Sequence, residues 1–158
     1  MHGSRTDADG RDLDPTPTAL VTSTPSDSHT WNLVFLQLLL EEHGYVVRNL
    51  GACPPISTIV AECRTARPDI VVVSSLNGHG RVEGAALISS LRAETELSDV
   101  PVVIGGMLTT GHDDRDAATE LRVLGYSAVF VGVGAVPAFR AFLETIPRAG
   151  RRVPELSR

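Results

Sequence analysis

Lysine is missing from this chain altogether; all fourteen of its basic residues are arginines. Schiff-base catalysis, a Walker-type phosphate lysine and the lysine of receiver domains are thereby excluded. Cysteine is scarce as well. Cys53 and Cys63 stand ten positions apart, with neither CxxC spacing nor a secretory signal upstream, a pattern that argues against a disulfide framework or structural zinc and sets a reducing cytoplasm as the expected compartment. No apolar run approaches the roughly 20 residues of a membrane span. Excess positive charge is absent too: 19 acidic groups against 14 basic ones give a formal charge of -5, the wrong sign for holding nucleic acid or an anionic membrane. What remains is 158 residues with a 42% apolar fraction, enough for one ordinary domain with its own core.

Residues 1–17 are small, polar and acidic with almost no apolar content, so they cannot bury enough surface to offset their ordering entropy and are expected to form a disordered leader. From Thr18 short β-rich runs alternate with helical stretches, and the domain is expected to span 18–147, with a polar, frayed tail over 148–158. Strands are predicted at Ala19–Ser23, Tyr45–Leu50, Asp69–Ser75, Val100–Ile104 and Ala128–Val131. Helices are predicted at Trp31–His43 before Gly44, Ile56–Arg67 before Pro68, Glu83–Glu94, Asp114–Leu124 before Gly125, and Ala135–Ile146 before Pro147. Ile70-Val71-Val72-Val73 is apolar without alternation, as a central parallel strand covered on both faces should be. The order βαβαβαβαβα predicts an α/β fold: a single doubly wound, five-stranded parallel sheet of flavodoxin-like (Rossmann-like) type, with its ligand at the carboxyl ends of the strands.

Three segments at that edge carry unusual residues. Asp27 and His29 lie two apart just before a helix. They read either as a helix cap followed by an exposed histidine, or as a carboxylate holding one imidazole nitrogen so that the other faces a metal. Ser74-Ser75-Leu76-Asn77-Gly78-His79-Gly80 closes the third strand, and Gly105-Gly106 follows the fourth. Gly132 and Gly134, after the fifth strand, either cradle a phosphate at the last helix's N-terminus or simply form the turn. Asp113, Asp114 and Asp116 read as acidic residues complementing a helix dipole, and His79 as a surface histidine.

Taken together, these segments resemble the cobalamin-binding domains that take their cofactor with its benzimidazole tail displaced from cobalt. That family's pattern is DxHxxG, about 41 residues, SxL, about 26 to 28 residues, and GG. Here Asp27-Ser28-His29 leads to Asn32 at the glycine position, the 41 residues 33–73 separate it from Ser74-Ser75-Leu76, and the 28 residues 77–104 precede Gly105-Gly106. Ser26 to His29 and Ser74 to Gly80 are most similar to the small-subunit (S chain) branch of the glutamate mutases, also called methylaspartate mutases.

The resemblance implies that His29 is the lower axial ligand of cobalt and that Asp27 bonds its other ring nitrogen. It implies that Ser74 donates to the displaced benzimidazole and that Leu76 lines the same slot. Ser28 and Gly78 belong to the same motifs, Gly105 and Gly106 would admit the corrin edge and nucleotide tail, and Gly134 would meet the tail's phosphate. It further implies adenosylcobalamin as cofactor, a carbon-skeleton isomerase (glutamate to 3-methylaspartate) as activity, and a separate large mutase subunit as partner in a hetero-oligomer, the isolated chain being inactive. Two other roles stay open: a corrinoid carrier for methyl transfer, and a non-enzymatic cobalamin-binding or sensory module. Asn32 departs from the family's glycine, where its side chain would narrow the slot, change its hydrogen bonding or abolish binding, unless the backbone tolerance of asparagine accommodates it.

Overall fold

The computed structural model describes residues 8–10, 15–111 and 114–147; most of the expected leader, the tail 148–158, His112 and Asp113 lie outside the described residues. The elements are β1 (Thr18–Ser23), α1 (Thr30–Glu42), β2 (Val46–Asn49), α2 (Ile56–Ala66), β3 (Ile70–Ser75), α3 (Gly80–Ala93), a 3-10 turn (Thr95–Leu97), β4 (Val102–Gly106), α4 (Asp114–Leu124), β5 (Ala128–Val131) and α5 (Ala135–Thr145). All strands pair in parallel in the order β2-β1-β3-β4-β5. This is the expected doubly wound sheet. Winding reverses between β1 and β3, so the crevice at their carboxyl ends is the topological switch point where ligands of such sheets bind.

Two predicted elements are displaced. The third helix begins at Gly80 rather than Glu83, because a side chain on Gly80 would press to 2.8 Å from Ser75 Oγ and 2.7 Å from Leu108; the bare backbone lets the helix start directly against the sheet. The fourth strand runs from Val102 to Gly106 instead of starting at Val100, since the Val100 N–H is taken by Leu97 in the preceding turn. Gly105-Gly106 therefore does not follow β4 but ends it, with Gly105 opposite Ser74 and Gly106 opposite Ser75.

Successive residues of a strand face opposite sides of the sheet, and the core divides accordingly. Leu20, Val71, Val73, Val102 and Ile104 pack with Ile59, Leu87, Ile88, Leu91 and Leu121 from α2, α3 and α4. Ala19, Val21, Ile70, Val72 and Val103 pack on the other face with Leu33, Leu39 and Leu40 of α1 and Phe139 and Leu143 of α5. Three helices cover the first face and only two the second. Near their carboxyl ends α1 and α5 are tied by Arg140 to Glu42 at 3.2 Å and His43 to Glu144 at 4.0 Å. Between their amino-terminal halves a cavity of about 140 Å³ remains.

Candidate functional site

Asp27 organises the switch point. It is 1% exposed, and its carboxylate accepts four N–H groups. Oδ1 takes the backbone N–H of His29 at 2.9 Å and the ring Nδ1–H of the same residue at 2.8 Å. Oδ2 takes the backbone N–H of Leu76 and that of Asn77, the latter at 3.1 Å. One side chain thus joins the loop after β1 to the loop after β3. Burial by itself pushes the carboxyl up, but the backbone donors of His29 and Leu76 and the imidazole outweigh it and hold the group below the ordinary carboxylate value.

The helix-cap reading of this segment does not hold. The N-cap of α1 is His29, and it makes no side-chain capping bond; Asp27 spends its lone pairs on the histidine and on the β3 loop instead. With Nδ1 donating to the carboxylate, the imidazole keeps its lone pair on Nε2. Its side chain is 51% exposed, which leaves that nitrogen open to a ligand from outside. Among the described residues there is no group of three or more His, Cys, Asp or Glu that would hold a bare metal ion. A single oriented imidazole suits a metal that arrives with its other ligands already in place.

Beside this pair lies the cavity between α1 and α5. Its walls are Phe35 and Leu36 of α1, Val136 and Phe139 of α5, Leu76 and Phe130, and its floor is β3 and β4 down to Gly105 and Gly106. Phe130 packs against Phe139 and Phe142 at ring-centroid distances of 5.4 and 5.8 Å, closing one end. An apolar cavity of roughly 150 Å³ holds a benzene-sized ring, so this slot suits a flat heterocycle. Ser74, at the end of β3, is buried, and its Oγ accepts Nδ2–H of Asn32 at 2.6 Å.

The other expected site residues divide into two groups. Leu76, Gly105 and Gly106 line the slot, but the glycines also answer to the fold: a side chain on Gly105 would come within 2.8 Å of the Phe130 carbonyl, and one on Gly106, at φ +122°, within 2.2 Å of the Ser75 carbonyl. Gly78, at φ +84°, lies where a side chain would strike Thr110 at 2.5 Å. Ser28 is exposed and offers its carbonyl to the Thr30 N–H at 2.9 Å. Gly134, at φ +86°, has open space around it and is the N-cap of α5, beside a groove that it shares with Arg115 and Arg122 rather than in the slot.

Several participants were not marked as site residues by the sequence, even where they fall inside its motifs. Asn77 offers its N–H to Asp27 and its side-chain amide to Ser26 Oγ at 2.9 Å, while Ser26 Oγ donates to Glu83 of α3 at 2.9 Å. Cys53, at φ 58°, donates its N–H to the Asp27 carbonyl at 3.2 Å. Phe35, Leu36, Val136 and Phe139 read as ordinary helix residues, and only the separation of α1 from α5 makes them a wall.

The fold and this constellation define a cobalamin-binding domain: the chain belongs to the B12 binding domain family, whose model matches residues 17–140. Among its relatives is the glutamate mutase sigma subunit of Halobacterium salinarum, 30% identical over 131 residues that cover 82% of this chain and 85% of the relative. The glutamate mutase sigma subunit of Escherichia coli O157:H7 is 28% identical over 106 residues, covering 66% of this chain and 70% of the relative. The fold is shared with a cobalamin-binding protein from Desulfitobacterium hafniense DCB-2, at a TM-score of 0.65 and 19% identity, over 81% of this chain and 58% of that one. No helix among the described residues is long and apolar enough to cross a membrane.

Proposed function

We propose that this chain is the cofactor-binding small subunit of an adenosylcobalamin-dependent carbon-skeleton mutase of the glutamate mutase type, acting with a separate large subunit. The observation that carries this reading is the Asp27–His29 pair set at the sheet's switch point beside an apolar slot sized for a flat ring. The residues present fit the cofactor. His29 Nε2 would hold the cobalt, with Asp27 keeping the imidazole in the tautomer that leaves this nitrogen unprotonated. The slot would take the displaced base away from water, and the Ser74 hydroxyl would donate to its ring nitrogen, otherwise a buried unsatisfied acceptor. When bound, adenosylcobalamin supplies radical chemistry through its cobalt–carbon bond, and the protein supplies binding and orientation.

The upper corrin face has no cover in a sheet edge of this kind, and radical chemistry requires exclusion of water. Trp31 and Val82, in the first turns of α1 and α3, and Met107, just after β4, are exposed apolar residues at the carboxyl edge of the sheet, as suits a surface that a large subunit closes. In the glutamate mutase reading, the rearrangement interconverts glutamate and 3-methylaspartate in that shared cavity.

The test is the cob(II)alamin electron paramagnetic resonance spectrum of protein labelled with ¹⁵N at histidine. Coupling to a histidine nitrogen that vanishes in His29→Ala is expected; coupling to the benzimidazole nitrogen, or no binding, would refute the proposal. Mixed with a cognate large subunit, adenosylcobalamin and glutamate, the chain should support 3-methylaspartate formation, and alone it should not. A cofactor-loaded complex inert towards glutamate would overturn the substrate assignment.

A further inference from the structure

Asn32 is the one polar side chain lining the slot; every other residue there is apolar or a glycine. Its amide is partly engaged. One Nδ2–H goes to Ser74 Oγ at 2.6 Å, which leaves the second N–H of the amide without a protein acceptor among the described residues. Ser74 Oγ accepts in this bond, and its own O–H, a hydroxyl being both donor and acceptor, has no protein acceptor among the described residues. One donor therefore belongs to the slot's lining, on Asn32, and a second to the buried Ser74 hydroxyl bonded directly behind it, where a glycine at position 32 would leave only the Ser74 donor and a gap.

We propose that Asn32 makes the slot selective for cobamides whose lower base is a purine over those whose base is a benzimidazole. This inference rests on the cobalamin reading: it keeps the histidine-held corrinoid with its base in the slot, and makes the benzimidazole form of that cofactor class, cobalamin itself, the weaker ligand. A benzimidazole carries one free ring nitrogen, and beside it, on the six-membered ring, a C–H. A purine carries a nitrogen at both places, two acceptors on one edge. Ser74 O–H meets the five-membered-ring nitrogen in either case. The second Asn32 N–H meets the purine's other nitrogen, but against a benzimidazole it faces a C–H in an apolar cavity and loses its water without a replacement bond. Sites built to hydrogen-bond a ligand atom reject the analogue that lacks it far more strongly than apolar walls reject a change of size.

The experiment is a spectrophotometric titration of the full chain with cobamides carrying adenine, unsubstituted purine or unsubstituted benzimidazole as lower base, in wild type, Asn32→Gly and Asn32→Ala. Wild type should bind both purine-type cobamides at least tenfold more tightly than the benzimidazole one. Both variants should lose that preference, and Asn32→Ala keeps the helix should glycine disturb it. Asn32→Asp, whose carboxylate accepts the Ser74 proton and offers no donor, should abolish the preference as well. Equal affinities in wild type, or a preference that survives in Asn32→Ala, overturn the inference while leaving cobalamin binding intact. Binding of all cobamides only after Asn32→Gly would make Asn32 an obstruction and also overturn it. Failure of every cobamide in every variant refutes the cobalamin reading itself.

Discussion

The two faces of the sheet are both built on apolar strands, yet the cavity beside the Asp27–His29 pair opens on the one that α1 and α5 cover. On the face covered by α2, α3 and α4, the helices stand side by side and the side chains between them are almost wholly buried. Arg92 locks its lower end, giving its guanidinium N–H groups to the carbonyls of Leu97, Val100 and Gly125 at 2.8 Å each. On the other face α1 and α5 meet only near their carboxyl ends, and the space between their amino-terminal halves is the slot. A central sheet gains stability from a complete cover and gains a ligand site from an incomplete one. Sheet order decides which face is which: only the crossover helix α1 and α5, which follows the last strand, are left for a face whose outer strands are β2 and β5, and they sit at its two sides.

The contrast is broken most strongly from the closed face. Leu87→Ala, at a fully buried position, should cost about 2–5 kcal/mol in denaturant unfolding, because dense packing there cannot collapse into the void. Leu36→Ala, on the slot wall and only partly buried, should cost about 1 kcal/mol or less. Similar losses at both positions would mean that the slot face is packed as tightly as its opposite.

Asp27→Asn comes next. The amide cannot accept all four N–H groups, and the loss should be about 1–3 kcal/mol. Its pH dependence has a definite sign. The folded pKa of Asp27 is lowered, so the contribution is full above the unfolded value of about 3.9 and fades as the pH falls through the folded one. Unfolding curves of the cofactor-free wild type at pH 6 and pH 3 should therefore differ by more than those of Asp27→Asn; parallel pH profiles would show that the carboxylate charge contributes nothing to the fold.

Val136→Phe sharpens the comparison from the slot side. Val136 lines the cavity and is 40% exposed, so a larger ring there should leave stability within about 0.5 kcal/mol while lowering cobalamin affinity at least tenfold. Retained affinity would place the base elsewhere. The smallest effect concerns the thiols. Cys63 belongs to the closed face, where burial pushes its pKa up to about 12, whereas Cys53 is exposed on the rim. In native protein a thiol reagent should titrate one group rapidly and reach the second only on unfolding. Two fast groups would show that the closed face opens.

Motif spacing made much of the site legible in advance. Asp27, His29, Ser74, Leu76 and the Gly105-Gly106 pair were identifiable as candidates because their residue types and separations match the pattern of the cobalamin-binding family that the chain resembles. The slot was not legible, because Phe35, Leu36, Val136 and Phe139 have the periodicity of any core helix and no local signal separates a wall from a core. Asn77 escaped for a different reason: it contributes a backbone N–H to Asp27, and every residue but proline has one.

By itself the sequence determined the class of this protein. Its strand and helix periods and the turn residues between them leave few topologies besides the doubly wound sheet, and the absent lysine excludes several chemistries, since these follow from local sterics and from the inventory of functional groups. Only the tertiary structure decided what Asp27 bonds, which nitrogen of His29 stays open, and that Asn32 shares a hydrogen bond with Ser74 across 42 positions of the chain. Those are long-range juxtapositions, set by how parallel strands register and how far two helices stand apart. Neither quantity is encoded within the reach of one residue's neighbours.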